Sequence, residues 1–393
     1  MSFPSTPSLL RSGQIEGNAW IEIRLDRLLS NLKYIQQAVV KNHGSAPQVM
    51  AVIKANAYGH GLMGIARALS NEAAYLGVSS LYEVLELREN GILSPLFLFG
   101  RLFGQDLVTA IKNNVTMSVS SFEEAAEISE VSESMIQKTA VHIKIDTGMG
   151  RLGIKSSEAI AEIGKIAQLP GLFLEGLYTH FPSAEKADGF AEKQLAHFNK
   201  IARELEAKNI KFRFYHAANT AGNLRIEDTA MRELNLMRPG LGLYGISSDS
   251  HLNTAGLDPV LALKTRIILV KKIQPGETVG YGRSYIASRP TTIATLPIGY
   301  SHGYPWHLSN KSWVLYKGKR CPLIGRVSMD FITVDLGHSE AKAGEEITLL
   351  GEEQNQRITA EDLAGWAGTI PYEIVTRLSS RLPRIYLSPE TGS

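Results

Sequence analysis

The sequence predicts an α/β protein: an N-terminal (β/α)8 barrel of the TIM type, followed by a C-terminal mostly-β domain. Three observations support this fold class. Eight short apolar runs between residues 48 and 240 alternate with stretches of helical periodicity. No G-x-G-x-x-G follows the first run, which disfavours an open doubly wound sheet. Beyond residue 255, short β-like runs are separated by turns rich in Gly, Pro and Asn.

The elements follow in chain order. The first residues contain no basic region followed by a long apolar core, so we predict a flexible tail over residues 1–17 and no signal peptide. An apolar segment from Trp20 to Leu25 and an amphipathic helix around Leu28 to Val40 precede the barrel. The eight predicted barrel strands are QVMAVI near residue 48, AYLGVS near 74, PLFLFG near 95, VTMSVS near 115, TAVHIKID near 139, LFLEGLYTH near 172, FRFYHAAN near 212 and ELNLMRPG near 233.

The connections between these runs determine how the strands pair. Helix-like stretches such as SFEEAAEISE and SEAIAEIGKIAQ lie between them, and parallel strands need such crossovers. We therefore assign residues 18–250 to the barrel and residues 251–393 to the β domain. The polar stretch GISSDSHLNTAGLDP is the predicted linker, and ITAEDLAGWAG is a late helix with a Thr N-cap and an acidic first turn.

Composition excludes several classes of function. The 41 basic and 39 acidic residues give a formal net charge of +2 without runs of either sign, so we expect a small-molecule partner and neither nucleic acid nor membrane. No apolar stretch approaches the roughly 18 residues that a membrane span needs. The single cysteine, Cys321, cannot form an internal disulfide or a cysteine metal site, so we predict a cytoplasmic protein without a metal.

Polar residues at the ends of the apolar runs predict the active site. Lys54 directly follows the first run, where an ammonium would lose hydration unless the fold compensates for it. The carboxyl ends of barrel strands form the active site of this architecture. Further polar residues follow the other runs: Lys144, Asp146 and Arg151 after the fifth, His180 after the sixth, His216 and Asn219 after the seventh, and Arg238 after the eighth. Each alone would be an ordinary loop residue, but their coincidence across five strands favours a site.

A desolvated lysine in such a site has a lowered pKa and attacks carbonyls, which indicates a Schiff base. The carbonyl compound could be a sugar-type aldehyde or pyridoxal phosphate. Asn219, Thr220 and Gly222 follow the seventh run and RPGLGLYG follows the eighth, where barrels commonly bind phosphate. A sugar phosphate satisfies this pattern equally well.

Nine motifs along the chain carry a resemblance to a known family. They are KANAYGHG, DTGMGRLG, GLYTHF, HAANTA, MRPGLGLYG, GYGRSY, LPIGY, GRVSMD and the terminal RLPRIY. Together, in this order and from about residue 18 to residue 387, the chain resembles the alanine racemases. The resemblance implies a pyridoxal 5'-phosphate enzyme that works as a head-to-tail homodimer with shared active sites.

The resemblance also implies roles for individual residues. Lys54 forms the internal aldimine, Tyr281 is the second base, Arg238 faces the pyridine nitrogen, and Arg151 and the Met329 amide bind the substrate. The implied catalytic residues are Lys54, Tyr281, Arg238, His180 and Asp330. The implied cofactor-binding residues are Lys54, Tyr58, Arg151, His180, Asn219, Thr220, Arg238, Gly240, Leu241 and Tyr372. In many relatives the lysine at the position of Lys144 is carbamylated.

The expected activity is interconversion of L- and D-alanine through an external aldimine, which supplies D-alanine for cell-wall peptidoglycan. Removing a proton from one face of the α-carbon and returning one to the other requires two acid/base groups, here Lys54 and Tyr281. The guanidinium of Arg238 cannot accept a proton, so the pyridine nitrogen should stay neutral and side transamination should be suppressed.

Several alternatives remain. They are an amino acid racemase of broader specificity with the same fold, a related barrel decarboxylase, a non-catalytic pyridoxal phosphate-binding barrel and an aldolase-like barrel without cofactor. Departures from the family pattern are Pro182 and Glu185 after THF, and Trp306 where an arginine is expected. These positions belong to the substrate entrance in relatives, so we expect them to affect the substrate range.

Overall fold

The computed structural model describes residues 17–43, 47–226, 233–247 and 254–387. The predicted N-terminal tail apart from Gly17, the centre of the predicted linker and the boundary between residues 250 and 251 lie outside these ranges. Within them the chain forms a parallel sheet curved into a barrel, a second, mostly antiparallel sheet and a separate pair of short antiparallel strands. The predicted combination of a barrel and a mostly-β region is confirmed.

The N-terminal strand and the barrel strands come first in the chain. They are β1 Ala19–Arg24, β2 Gln48–Val52, β3 Tyr75–Val78, β4 Leu96–Leu98, β5 Val115–Val119, β6 Thr139–Asp146, β7 Ile154–Lys155, β8 Leu172–Tyr178, β9 Phe214–His216 and β10 Leu236–Met237. Eight of them follow one another in the order β10-β2-β3-β4-β5-β6-β8-β9, while β7 pairs only with the end of β6.

The barrel is nearly closed. Strands β9 and β10 are joined by two backbone hydrogen bonds, from Asn235 N to Tyr215 O at 3.1 Å and from Arg238 N to Ala218 O at 3.1 Å. Buried aromatic and apolar side chains from six strands fill the interior as one cluster, Met50, Tyr75, Phe97, Tyr178, Phe214 and Leu236. Bulky residues pointing inward from several strands are what a small barrel needs to fill its interior.

Helical segments connect the barrel strands, and most of them cover the outside of the barrel. They are α1 Leu25–His43, α2 Lys54–Tyr58, α3 Leu62–Leu69, α4 Leu81–Glu89, α5 Gly104–Lys112, α6 Phe122–Ser134, α7 Ala159–Ile166, α8 Phe190–Ala207 and α9 Thr220–Arg225. Of these, α2 is a left-handed turn and lies at the site. Three of them begin with a side-chain cap, because Ser80, Ser121 and Asn219 accept hydrogen bonds from the backbone N–H three residues on. The caps fix where these helices leave the strand ends that form the site.

The C-terminal region consists mainly of strands. They are β11 Leu261–Arg266, β12 Leu269–Ile273, β13 Thr278–Val279, β14 Tyr285–Ile286, β15 Thr291–Leu296, β16 Trp313–Tyr316, β17 Lys319–Ile324, β18 Ile332–Gly337, β19 Glu346–Glu353, β20 Gln356–Ile358 and β21 Arg384–Leu387. Two helices follow β20, α10 Ala360–Ala367 and α11 Pro371–Thr376. The predicted Thr N-cap of α10 is confirmed: Thr359 and Asp362 each accept the other's backbone N–H, at 3.1 and 2.9 Å.

Strand β1 precedes the barrel in sequence but lies in the C-terminal sheet. It pairs antiparallel with β11, with Ile21 opposite Leu263, and parallel with β21, with Ile21 opposite Arg384. The N-terminal segment therefore ties the two regions together, although the sequence grouped it with the barrel. In the described part of the chain, no helix has the length and apolarity to cross a bilayer.

Candidate active site

A cavity of about 520 Å³ opens at the carboxyl ends of the barrel strands. Ten residues that the sequence and the resemblance single out line this cavity: Lys54, Tyr58, Arg151, His180, Asn219, Thr220, Arg238, Gly240, Leu241 and Tyr372. Lys144 also lines the cavity, as do Pro182 and Glu185, two residues that depart from the family pattern. Among the described residues, four cationic side chains therefore line this cavity, against one carboxylate, that of Glu185. Such a charge balance suits an anionic ligand.

Lys54 stands at the start of a left-handed turn. The next four residues, Ala55 to Tyr58, all have φ between 52° and 54°. Each such residue other than glycine costs roughly 1–2 kcal/mol, so surrounding contacts must hold the turn. The turn directs the lysine into the cavity directly after β2. Burial, followed by the charge of Arg151, lowers the pKa of the Lys54 amine below its usual value.

Two buried side chains hold this left-handed turn. The Nδ1 of His60 lies 3.1 Å from Ala57 O and 2.9 Å from Tyr58 O, and carbonyls only accept, so Nδ1 carries the proton. Burial lowers the pKa of His60 to about 3, which keeps the ring neutral. Glu83 accepts hydrogen bonds from Asn56 N at 3.3 Å and from Ser79 N at 2.9 Å. Glu83 therefore connects the strained backbone of the turn to the residue that follows β3.

The loop after β6 carries Arg151. Asp146 accepts the backbone N–H groups of Gly148 at 2.9 Å, Met149 at 2.8 Å and Gly150 at 2.9 Å. Burial opposes ionisation of Asp146, but these three N–H donors outweigh it and lower the pKa of the carboxyl. The hydrogen bonds of Asp146 therefore shape the loop that carries Arg151.

Arg238 forms the floor of the cavity and is 3% exposed. One terminal nitrogen lies 2.5 Å from the Nδ1 of His216, and the other donates to Thr179 O and Ala217 O at 2.8 Å each. That second nitrogen also lies 3.3 Å from the Nδ1 of His180. Burial and the charge of Arg238 lower the pKa of His180 to about 2, so its imidazole is neutral.

The part of the cavity lined by Thr220 and Gly240 allows a phosphate to approach the backbone closely. The hydroxyl of Thr220 accepts the backbone N–H groups of Gly240 at 3.1 Å and Gly242 at 3.2 Å. A Cβ at Gly240 would lie 2.7 Å from the hydroxyl of Tyr58, so only glycine leaves this wall open. The side chain of Asn219 caps helix α9 by accepting from Gly222 N at 2.9 Å. These residues fit a phosphorylated aldehyde whose carbonyl carbon reaches Lys54.

Three implied site residues lie outside this cavity. Tyr281 is 72% exposed and Met329 is 55% exposed, and both stand on the C-terminal region. Asp330 is also exposed and accepts a hydrogen bond from the hydroxyl of Ser301 at 2.8 Å. Tyr281 and Met329 belong to a C-terminal aromatic surface formed by the exposed side chains of Tyr281, Tyr300, Trp306, Met329 and Phe331. Arg326 lies over the ring of Trp306 and beside the Tyr281 loop, and the loops of Tyr300 and Met329 are joined by a hydrogen bond from Ser301 N to Met329 O at 3.0 Å.

Sequence reasoning missed several residues that the structure connects to the site. His60 and Glu83 support the lysine turn, and Met149 and Tyr178 line the cavity. His142 and Glu175 lie behind Arg238, inside the barrel. Glu83, His142, Glu175 and Tyr178 occur within helical or β-like stretches, whereas His60 and Met149 were quoted only as parts of motifs. A histidine in the middle of the buried run TAVHIKID was the one available signal for His142.

Comparisons with known proteins agree with this geometry. The family described as alanine racemase, N-terminal domain, matches residues 23–248, and that described as alanine racemase, C-terminal domain, matches residues 260–386. The alanine racemase of Desulforamulus reducens is 39% identical over 374 residues, which cover 94% of this chain and 98% of that protein.

Solved structures give the same result. The alanine racemase of Clostridium difficile 630 is 34% identical with a TM-score of 0.88, over 96% of this chain and 97% of that one. The alanine racemase of Bartonella henselae, solved with covalently bound pyridoxal phosphate, is 27% identical with a TM-score of 0.82, over 95% of this chain and 100% of that one. The chain therefore belongs to the alanine racemase family of isomerases.

Proposed function

We propose that this chain interconverts L- and D-alanine with pyridoxal phosphate held covalently on Lys54, in a homodimer with shared sites, and so supplies D-alanine for peptidoglycan in the cytoplasm. The observation that carries the proposal is the position of Lys54. Its amine faces a cationic cavity between the buried guanidinium of Arg238 and the glycine-walled pocket at Gly240. A phosphorylated pyridine aldehyde matches these three features together.

The residues present fit the cofactor. Thr220, Gly240, Leu241, Tyr58 and Tyr372 would hold the phosphate, and Arg238 would donate to the pyridine nitrogen. When bound, pyridoxal phosphate withdraws electrons from the α-carbon of an amino acid and makes the α-proton removable. Because a guanidinium only donates, Arg238 leaves the pyridine nitrogen unprotonated and limits this withdrawal. The proton is then returned quickly to the α-carbon, which favours racemisation over transamination.

The amine of Lys54 is suited to accept the α-proton on one face. Burial and Arg151 lower its pKa, so the neutral amine is more accessible near physiological pH than that of a solvated lysine. Arg151 lies at the cavity wall, where it would bind the substrate carboxylate. The rings of Tyr58 and Tyr372, 6.1 Å apart by centroid, would exclude water from the phosphate end.

The second proton carrier would come from a partner subunit. Tyr281 and Met329 stand on an exposed aromatic surface of the C-terminal region, away from the cavity of their own chain. Exposed apolar patches of this kind are typical of protein interfaces. We infer that the surface packs against the barrel mouth of a second copy. The phenol of Tyr281 would then face the side of the α-carbon opposite Lys54, and the Met329 amide would meet the substrate carboxylate.

The test combines spectroscopy with chiral analysis. The purified protein should absorb visible light with added pyridoxal phosphate, lose that band after borohydride, and then carry the reduced cofactor on the peptide that contains Lys54. Incubation with either enantiomer of alanine should yield an equal mixture of both.

The same assay with larger amino acids separates this function from its alternatives. If many amino acids are racemised at rates comparable to that of alanine, the result would support an amino acid racemase of broader specificity instead. If the cofactor is found on Lys54 but neither enantiomer is racemised, the result would support the alternative of a non-catalytic pyridoxal phosphate-binding protein. A colourless protein that does not bind the cofactor would refute the proposal altogether.

A further inference from the structure

Among the residues that the structure describes, no carboxylate lies beside the buried cation at the floor of the site. Arg238 is 3% exposed, and its partners in the described part of the chain are two backbone carbonyls and two histidines. An unpaired charge in such an interior is costly, so native structures usually compensate it with an opposite charge nearby. The compensation for Arg238 must therefore come from beyond its immediate neighbours.

A line of buried side chains leads from Arg238 through the barrel interior to a carboxylate. Arg238 donates to the Nδ1 of His216 at 2.5 Å, and the Nε2 of His216 lies 2.8 Å from the Nδ1 of His142. The Nε2 of His142 then faces an oxygen of Glu175 at 3.6 Å, an electrostatic contact longer than a hydrogen bond. Both histidines are 0% exposed and Glu175 is 6% exposed.

The guanidinium fixes the direction of every proton along this line. Arginine can only donate, so the Nδ1 of His216 must accept and its Nε2 must carry the ring proton. That proton is donated to the Nδ1 of His142, which leaves the proton of His142 on Nε2, pointing at Glu175. Burial lowers the pKa of both histidines, in agreement with two neutral rings.

Aromatic rings shield the two histidines of this line from water. Tyr178 stacks on His216 with centroids 4.6 Å apart and planes 3° apart, and Phe97 lies 4.9 Å from the ring of His142. In such an environment the charge of a carboxylate acts over a longer range than at a surface. Glu175 also accepts a hydrogen bond from Tyr75 at 2.5 Å and lies 3.4 Å from Arg213, which is largely exposed.

We propose that Glu175 is a positioning residue for the reaction: the buried counter-charge that, through His142 and His216, keeps Arg238 charged and in one orientation at the floor of the site. This rests on the proposed function only in that Arg238 faces the cofactor. The line makes the Nδ1 of His216 a stronger acceptor, since each donated proton polarises the next ring towards the carboxylate. Removal of the charge of Glu175 should loosen Arg238 without touching the cavity wall.

A double-mutant cycle on the full-length protein, with saturating cofactor and fixed protein concentration, tests this coupling by denaturant unfolding. Glu175→Gln keeps the shape and removes the charge. It should lower the folding equilibrium constant at least about tenfold more in the wild-type background than in the Arg238→Gln background. The matched cycle with Arg213→Gln should be nearly additive, because Arg213 is solvated. Glu175→Asp, which keeps the charge, should restore part of the loss.

Equal costs of Glu175→Gln in the wild-type and Arg238→Gln backgrounds would overturn the proposal, because Glu175 would then serve only Tyr75 and Arg213. These unfolding measurements stay interpretable even if the chain does not racemise alanine. Neutron diffraction on wild-type crystals provides a second test that needs no variant. Deuterons on the Nε2 of both His142 and His216 are expected, and a deuteron on the Nδ1 of either ring would contradict the proposed line.

Discussion

Tyr372 on helix α11 packs against Tyr58 in the lysine turn, with ring centroids 6.1 Å apart and planes inclined at 44°. Tyr58 belongs to the barrel and Tyr372 to the C-terminal region, so the two regions meet at the site. A third ring, that of Tyr244, lies 5.1 Å from Tyr58 and donates its hydroxyl proton to Val52 O at 3.1 Å. The position of the Tyr58 hydroxyl is therefore set by both regions.

Gly240→Ala should close the pocket beside Tyr58. The added Cβ would lie 2.7 Å from the Tyr58 hydroxyl, and such overpacking costs roughly 1–3 kcal/mol. We expect weaker retention of pyridoxal phosphate, measured by equilibrium dialysis. Gly164→Ala is the control, because a Cβ there meets nothing within 4 Å and helix α7 should gain about 0.5–1 kcal/mol. If Gly240→Ala binds the cofactor as tightly as the wild type, Gly240 does not form part of the cofactor site.

Asp146→Ala should release the loop that carries Arg151. The substitution removes the shared acceptor of three backbone N–H groups, two of which are exposed to water, so the cost in stability should be roughly 0.5–1.5 kcal/mol. We expect a higher KM for alanine with a smaller change in kcat, measured by steady-state kinetics. Asp188→Ala is the control, since Asp188 accepts only the Phe190 N–H in an exposed loop. If both variants behave alike, Asp146 does not position Arg151.

Lys144 should make stability depend on pH in the alkaline range. Burial, followed by the charges of Arg151 and Arg238, lowers the pKa of Lys144 to about 8 from the model-compound value of 10.5. Between these two values the unfolded chain binds more protons than the folded one, so the free energy of unfolding should rise with pH. This slope is at most about 1.4 kcal/mol per pH unit for one proton.

Lys144→Met should flatten that slope. Denaturant unfolding at several pH values between 7 and 10.5, for wild type and variant, gives the difference directly. The buffers must be free of CO2, because the neutral amine of Lys144 would otherwise add it. Identical slopes for the two proteins would mean that Lys144 keeps an ordinary pKa in the fold.

Mixing two inactive variants tests whether Tyr281 acts across a subunit boundary. Lys54→Ala removes the amine and Tyr281→Phe removes the phenol hydroxyl, so a homodimer of either should be nearly inactive. A mixed dimer contains one site with both groups intact. Activity should therefore return after subunit exchange, confirmed by mass spectrometry of the dimers. Exchange without recovery would place both groups in the same subunit.

The sequence predicted the barrel and one side of the site because both follow from local patterns. Parallel strands buried on both faces read as continuous apolar runs, and their carboxyl ends must converge. Lys54, His180 and Arg238 could be found in this way. The assignments of Tyr281 and Met329 depend on the family resemblance and remain predictions, because no local pattern relates an exposed tyrosine to a distant lysine.

Other features depend on contacts that are remote in sequence. The pairing of β1 with β11 joins Ile21 to Leu263, and nothing in the segment Trp20 to Leu25 specifies that partner. The left-handed turn at residues 55–58 runs against the preferences of Ala and Tyr, and buried His60 holds it. Glu175 occurs in a β-like run in which a single acidic residue normally indicates a solvated face.

Racemisation of each alanine enantiomer in heavy water tests the central claim most directly, namely that the amine of Lys54 and the phenol of Tyr281 act on opposite faces of the α-carbon. The protein should convert L-alanine to D-alanine and D-alanine to L-alanine, with solvent deuterium on the α-carbon of the earliest product in both directions. Early product that keeps the protium of its substrate would indicate a single base, and unchanged enantiomers would contradict the account as a whole.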